Sequence, residues 1–183
     1  MALRTIRTAG DPVLGKVCRE ITEMTPRIET LIDDMFETMY EACGVGLAAP
    51  QVGVLKRVVV IDCSLPDEEE DEAEETGEGE EELTVEDMSY GGPYVLINPV
   101  ITLREGEQTG DEGCLSLPGK IAEVTRPEHV IVEAYDENME WFELEAHGLL
   151  ARAICHECDH LEGHMYTEFA KPGTLRDVAS DED

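Results

Sequence analysis

The segment His156-Glu157-Cys158-Asp159-His160 carries the residue types of a metal-dependent hydrolase. Two histidines four apart share one face of a helix, one turn from each other, so both imidazoles reach a single ion. Glu157 lies ~100° around the helix from His156. From there a carboxylate reaches a water on that ion without binding the ion itself. A catalytic ion needs a third protein ligand and an open position. The zinc-protease spacings do not supply one. A third histidine ten residues after the first would fall on Tyr166, and His164 is two residues short of that place. A downstream glutamate ligand would be Glu168, twelve residues after His156 and too close for the usual separate helix.

A cysteine thiolate is the other good ligand. Cys114 stands in Glu112-Gly113-Cys114-Leu115-Ser116, read as a turn flanked by Pro118, where the backbone can approach an ion. Taken alone, a single loop cysteine reads as inert packing. Cys155 and Cys158 lie on other helical faces from the histidine pair. They form a Cys-x-x-Cys, but redox pairs of that kind sit at a helix N-terminus, where the dipole lowers the thiol pKa. This pair reads as mid-helix. The other cysteines are Cys18, Cys43 and Cys63. Met1 to Gly10 has no apolar stretch of the signal-peptide kind, so all six are expected to be reduced thiols.

The elements that must position these residues follow from periodicity. Thr25-Pro26 is a helix start, with threonine as cap and proline in the first turn. Ile28, Leu31, Ile32, Met35, Phe36, Met39 and Tyr40 recur at helical spacing, and Gly44 is expected as the C′ residue that ends the helix. Gly44 to Gly53 reads as a small-residue turn holding one amide side chain, Gln51. Strands are expected over Lys56–Asp62, Tyr94–Thr102 (disturbed at Asn98-Pro99), Lys120–Thr125, Val130–Tyr135 and Met139–Ala146. Asp136-Glu137-Asn138 reads as a hairpin turn. From Gly148 the pattern is helical again. Consecutive strands with segregated helices predict an antiparallel sheet in an α+β domain.

The chain has 183 residues, with 43 acidic and 13 basic side chains and a net charge of -30. Fourteen of the acids fall between Asp67 and Asp87, a stretch with no base; without it 29 acids face 13 bases, a balance of -16. The remainder is about 46% hydrophobic, close to an ordinary globular domain. Residues 66–92 therefore read as an acidic, mobile insertion between strands, with too little apolar surface to repay ordering. The EF-hand ligand spacing is absent from it. Charge of this sign excludes attachment to nucleic acid or anionic membrane by basic surface, and no stretch approaches the ~20 apolar residues of a membrane span.

Three blocks together resemble the peptide deformylases. Gly44 to Gln51 matches the family's Gly-x-Gly-Leu-Ala-Ala-x-Gln, Glu112 to Ser116 its Glu-Gly-Cys-Leu-Ser, and His156 to Gly163 its His-Glu-x-x-His with Leu-x-Gly. Gly10-Asp11-Pro12-Val13-Leu14 is similar to the family's opening segment. The resemblance covers most of residues 4 to 168. It implies an α+β fold with antiparallel sheets packed around a central metal-binding helix. Residues 1–170 would form a single catalytic domain and 171–183 a short acidic tail.

The activity implied is removal of the formyl group from the N-terminal methionine of newly made proteins in the bacterial cytoplasm, with release of formate. The resemblance assigns Cys114, His156 and His160 as ligands of one divalent ion, Fe(II) in the first place, with Zn, Ni or Co as substitutes. Glu157 would be the general base. The Gln51 side-chain amide and the Leu115 backbone N–H would stabilise the formyl oxyanion. Val45, Gly46 and Gly113 would bind substrate, the glycines by letting the backbone pair with an extended peptide and Val45 by lining the methionine pocket. The partners implied are N-formylmethionyl nascent peptides, with ribosome contact transient, and neither nucleic acid nor membrane. Three departures stand out. Cys155 occupies a place where the family usually has glutamine, and is expected to tune the pocket or make it prone to oxidation. The acidic insertion is longer than the family's loop. The C-terminus lacks the basic helical tail of some members.

Overall fold

The computed structural model describes residues 1–65 and 84–178. The core of the acidic insertion, residues 66–83, and the chain's last five residues lie outside the described residues. The described end of the insertion holds a single 3-10 turn, Asp87–Ser89, before the chain enters a strand.

Helix α1 spans Pro26–Glu41, with Thr25 accepting from the Ile28 N–H and proline in the first turn, as the sequence predicts. Its end differs from expectation. Cys43, not Gly44, takes the left-handed C′ position, at φ 55°. The Gly44 N–H bonds the Met39 carbonyl and the Cys43 N–H that of Tyr40, the pairing of a Schellman motif. Gly44 is small for another reason: a Cβ there would stand 2.7 Å from Leu115 Cδ1.

The segment read as one turn from Gly44 to Gly53 contains strand β1, Gly46–Ala48, followed by a 3-10 turn over Ala49–Val52. Strand β2 is Val58–Ile61 and β3 is Tyr94–Glu105. The expected disturbance in β3 is real: Asn98 has φ 51° and the register to its neighbour shifts between Ile97 and Val100. The Asn98 side chain turns to bond both the N–H and the carbonyl of Ile21.

Cys114 does not lie in an isolated loop. It is the last residue of β4, Gln108–Cys114, hairpinned to β5, Leu117–Arg126. Glycines, Thr, Gln and acids hide this strand from a hydrophobic pattern. Strands β6, His129–Tyr135, and β7, Trp141–His147, fall close to expectation. The Asp136 carboxylate accepts from the N–H groups of Asn138 and Glu140 and closes their hairpin. Helix α2 is Gly148–Leu161. The described C-terminal segment continues into β8, Arg176–Asp177, which pairs with Lys120 and Ile121 of β5.

All named strand pairs are antiparallel, in two sheets ordered β1-β2-β3-β6-β7 and β4-β5-β8. The β4-β5 hairpin leaves the first sheet, so β3 pairs with β6 across it. Side chains on a strand alternate between faces. In β2, Val58 and Val60 join α1 residues Leu31, Ile32, Met35 and Met39 in one core, while Val59 and Ile61 join α2 residues Leu150, Ala151 and Ile154 in another. That is why β2 reads as an unbroken apolar run: both faces of the sheet are covered. Helix α2 runs between the sheets, touching β1, β2, β6 and β7 on one side and β5 on the other.

Candidate metal centre

Helix α2 is buried along most of its length because it has a sheet on each side, and His156, Glu157 and His160 are all buried. The β4-β5 hairpin brings Cys114 against it. The thiol of Cys114, one nitrogen of His156 and one of His160 lie within 4.8 Å of one another, with Cys114 Sγ 3.3 Å from His160 Nε2. These are the three ligands that the resemblance implies, delivered by two elements, with Cys114 and His160 46 residues apart in the chain.

Their surroundings suit an ion. Glu112 Oε1 lies 2.6 Å from His156 Nδ1, which leaves Nε2 as the nitrogen that could bind an ion. A carboxylate behind a ligand histidine fixes its tautomer and raises its basicity. The same carboxylate receives Arg126 Nε and Nη2 at 3.1 and 2.6 Å and Arg152 Nη1 at 2.9 Å. Burial alone would push Glu112 up, but the hydrogen bonds from His156 and Arg126 outweigh it and hold the carboxyl at about 2. It is therefore ionised whenever the site works. Arg126 also bonds Asp159 Oδ2 at 2.6 Å, tying β5 to α2. Burial is the main cause that presses His160 down to about 3. It is a neutral imidazole, the form that binds a metal. A thiolate with two neutral imidazoles makes a softer, less positive centre than three imidazoles.

Glu157 faces the same point without joining the ligand set. Its Oε1 is 4.0 Å from His156 Nε2, and its Oε2 is buried with no hydrogen-bond partner. Burial is the main reason that its carboxyl rises to about 7 in the ion-free protein. A group that exchanges a proton near neutrality is what general acid–base catalysis requires.

Gln51 is fully buried beside the cluster. Its orientation is set by its partners: Oε1 must face the Ala48 N–H at 2.9 Å, so Nε2 faces Ser116 Oγ at 3.1 Å and Cys114 Sγ at 3.4 Å. A neutral donor is thereby aimed at the Cys114 thiol.

A cavity of about 800 Å³ opens onto these groups. Val45, Gly46, Gly113, Cys114, Leu115, His156 and Glu157 are on its wall, while Gln51 and His160 lie behind it. Two strand edges flank it: among the described residues, β1 pairs only with β2, and β4 only with β5. Gly46 has a second reason to be glycine. A Cβ there would stand 2.7 Å from Glu157 Oε1 and 2.9 Å from its Cγ, and Glu157 is too enclosed to retreat. Gly46→Ala is expected to lower kcat/KM by about 10- to 100-fold, because an ångström of displacement at a reacting group costs that much. Steady-state kinetics with ion content measured in parallel checks this; unchanged kcat/KM would show that Glu157 is not held by the β1 backbone.

Cys155 does not reach this cavity. It lies in the core on the five-stranded sheet and lines a separate cavity with Arg57, Cys158 and Phe169. Burial lifts its thiol to about 11, so it is neither a pocket residue nor a reactive thiolate. Cys158 is likewise raised by burial. Tyr166, which occupies the third-histidine spacing of the proteases, is buried and stacks on His156 at 5.9 Å between ring centroids. His164 is exposed and pairs with Glu168 instead. The roles of Arg126, Arg152 and Asp159 were not legible in the sequence. Arg152 had one available signal, as a charge one turn before His156 on the same helical face; Arg126 had none.

The profile described as Polypeptide deformylase matches residues 3–175. A peptide deformylase of Agathobacter rectalis is 58% identical over 178 residues, covering 97% of this chain and 96% of that protein. One of Lachnoclostridium phytofermentans is 55% identical, covering 98% and 96%. Among solved structures, the peptide deformylase of Ehrlichia chaffeensis in complex with actinonin superposes with a TM-score of 0.79 at 36% identity, over 94% of this chain and 91% of that one. The enzyme from Thermotoga maritima gives 0.76 at 33% identity, over 94% and 100%.

Proposed function

The chain belongs to the polypeptide deformylase family, and from that premise we propose how its own residues carry out the reaction. The enzyme hydrolyses the formamide at the N-terminus of a formylmethionyl peptide and releases formate. The observation that carries this reading is the convergence of Cys114, His156 and His160 on one point, with Glu157 and the Gln51 amide facing it.

Cys114, His156 and His160 would hold one divalent ion, which would supply Lewis acidity toward a water and the formyl oxygen. Fe(II) is the native ion in this reading, with Zn, Ni or Co able to replace it. Glu157 takes the proton of the attacking water and hands one to the departing amine. Gln51 Nε2 and the Leu115 backbone N–H donate to the formyl oxygen as it becomes negative. A neutral amide suits this role, since a carboxylate at position 51 would repel the oxyanion. The peptide lies in the 800 Å³ cavity between the free edges of β1 and β4, where Gly46 and Gly113 offer backbone groups for strand addition. Val45, with Leu149 and Ala153 of α2, lines the space for the methionine side chain.

Residues 1–170 act as one catalytic domain in this reading. Substrates are nascent chains in the bacterial cytoplasm, and ribosome contact is transient because the acidic surface offers little to RNA. Among the described residues, no helix is long and apolar enough to cross a membrane.

The test compares formyl-Met-Ala-Ser with its acetylated and unblocked counterparts. Formate is expected from the formylated peptide alone, with both internal peptide bonds intact. Internal cleavage without formate would assign the centre to an endopeptidase.

A further inference from the structure

A second cluster of ligand-type residues sits on the five-stranded sheet. Glu105 of β3, His129 of β6 and His147 of β7 are directly opposite one another across three adjacent strands. The two imidazoles stack at 4.2 Å between centroids, only 4° from parallel. Glu145, two residues before His147 on the same face of β7, brings Oε1 to 2.8 Å from His129 Nε2 and 3.9 Å from His147 Nε2. One ligand atom from each of His129, Glu145 and His147 falls within 4.8 Å of the others.

The hydrogen-bond arithmetic around His129 is incomplete. Its Nδ1 is 3.1 Å from Glu105 Oε2, which engages the Nδ1 proton. A neutral ring then turns the Nε2 lone pair toward the Glu145 carboxylate. Nε2 is shielded from solvent and makes no aligned hydrogen bond, despite its 2.8 Å approach to that oxygen. Two acceptors this close need a cation between them. A proton answers one contact. A metal ion answers all three ligand atoms together.

We propose that His129, His147 and Glu145 form a second divalent metal site, with Glu105 as the carboxylate behind His129. Two imidazoles and a carboxylate suit zinc or a neighbouring transition ion rather than calcium or magnesium. Tetrahedral zinc with bonds near 2.1 Å sets its ligand atoms about 3.4 Å apart. The present separations need only small side-chain rotations to meet that, and Glu145 is half-exposed and free to move. His147 directly precedes α2 and His156 follows nine residues later, about 14 Å along the helix axis. The second ion therefore lies outside the reaction cavity. It would clamp the start of the ligand-bearing helix to β6 and β3. The N-terminal helix dipole opposes a cation there, but two glutamates outweigh it.

The test titrates zinc into the zinc-loaded holoenzyme by calorimetry, with ion content measured after gel filtration. One further zinc per chain is expected. His129→Gln, His147→Gln and Glu145→Gln should each weaken it at least 10-fold while formate release stays unchanged. On the unaltered protein, the imidazole resonances of His129 and His147 should shift together as the second equivalent binds. No second equivalent up to about 1 mM zinc, far above specific affinities, would overturn the proposal and leave a proton as the occupant. So would a second equivalent that all three variants retain, or one that leaves both resonances unmoved, since zinc would then be held elsewhere, as by the acidic segment.

Discussion

Replacing Glu157 with glutamine is expected to lower kcat by about 10²- to 10⁴-fold, the usual contribution of a positioned acid–base group. The catalytic ion should stay bound at one equivalent, because Glu157 is not among the three ligand atoms that converge. The same substitution should stabilise the ion-free protein. The Glu157 carboxyl is raised by burial from an ordinary 4.5 to about 7. A raised carboxyl means that ionisation opposes folding. The unfolded chain ionises above 4.5, whereas the folded one resists until about 7. Stability is therefore full below pH 4.5 and falls as pH rises through 7. Glutamine carries no charge and escapes that loss. Above pH 7 the variant should be more stable by about 3 kcal/mol, at 1.36 kcal/mol per pH unit, and the advantage should vanish below pH 4.5. Urea unfolding after chelation, at pH 4.5 and pH 8, measures both ends. Equal stability at the two pH values would show that Glu157 is solvated, and kcat within 10-fold of the parent would remove it from proton transfer.

Cys114→Ala is expected to weaken ion binding by more than about 100-fold, beyond what loss of a merely supporting group costs. Activity should fall with ion occupancy. The substitution also removes the sulfur that Gln51 Nε2 faces, but leaves that amide its bond to Ser116. The hairpin should therefore hold and the thermal transition of the ion-free protein should move little. Ion content after dialysis against a graded chelator series separates affinity from folding. Unchanged affinity would take Cys114 out of the ligand set.

The helix with its paired histidines was legible because its chemistry is local: four residues of spacing define one face. β2 was legible because burial on both faces leaves an unbroken apolar run. Strand β4 was not, since it places Gly110, Gly113 and three polar side chains in a hydrogen-bonded ladder whose inward residue is a charged one, Glu112. Its order comes from pairing with β5, which no periodicity reports. β1 is too short, at three residues, for a period to show. Gly44 was assigned to the helix end because glycine favours the left-handed region, yet Cys43 bears that conformation and Gly44 yields space to Leu115. The resemblance points to the pocket for Cys155, where the family usually has glutamine, but the ~100° between it and His156 around the helix turns it into the core on the five-stranded sheet. The Glu112–Arg126–Arg152 network was beyond reach for a different reason. It joins three elements, and only the packing of α2 between two sheets brings them together.

Formate release against added Fe(II), without oxygen, tests the catalytic centre most directly. The chelated protein should release no formate from formyl-Met-Ala-Ser. Activity should rise linearly with iron and level off at one equivalent per chain. Zinc bound later at His129 and His147 should add nothing to the rate. Full formate release from rigorously ion-free protein, or equal rates from a His156→Ala, His160→Ala double variant, would contradict a centre built on Cys114, His156 and His160.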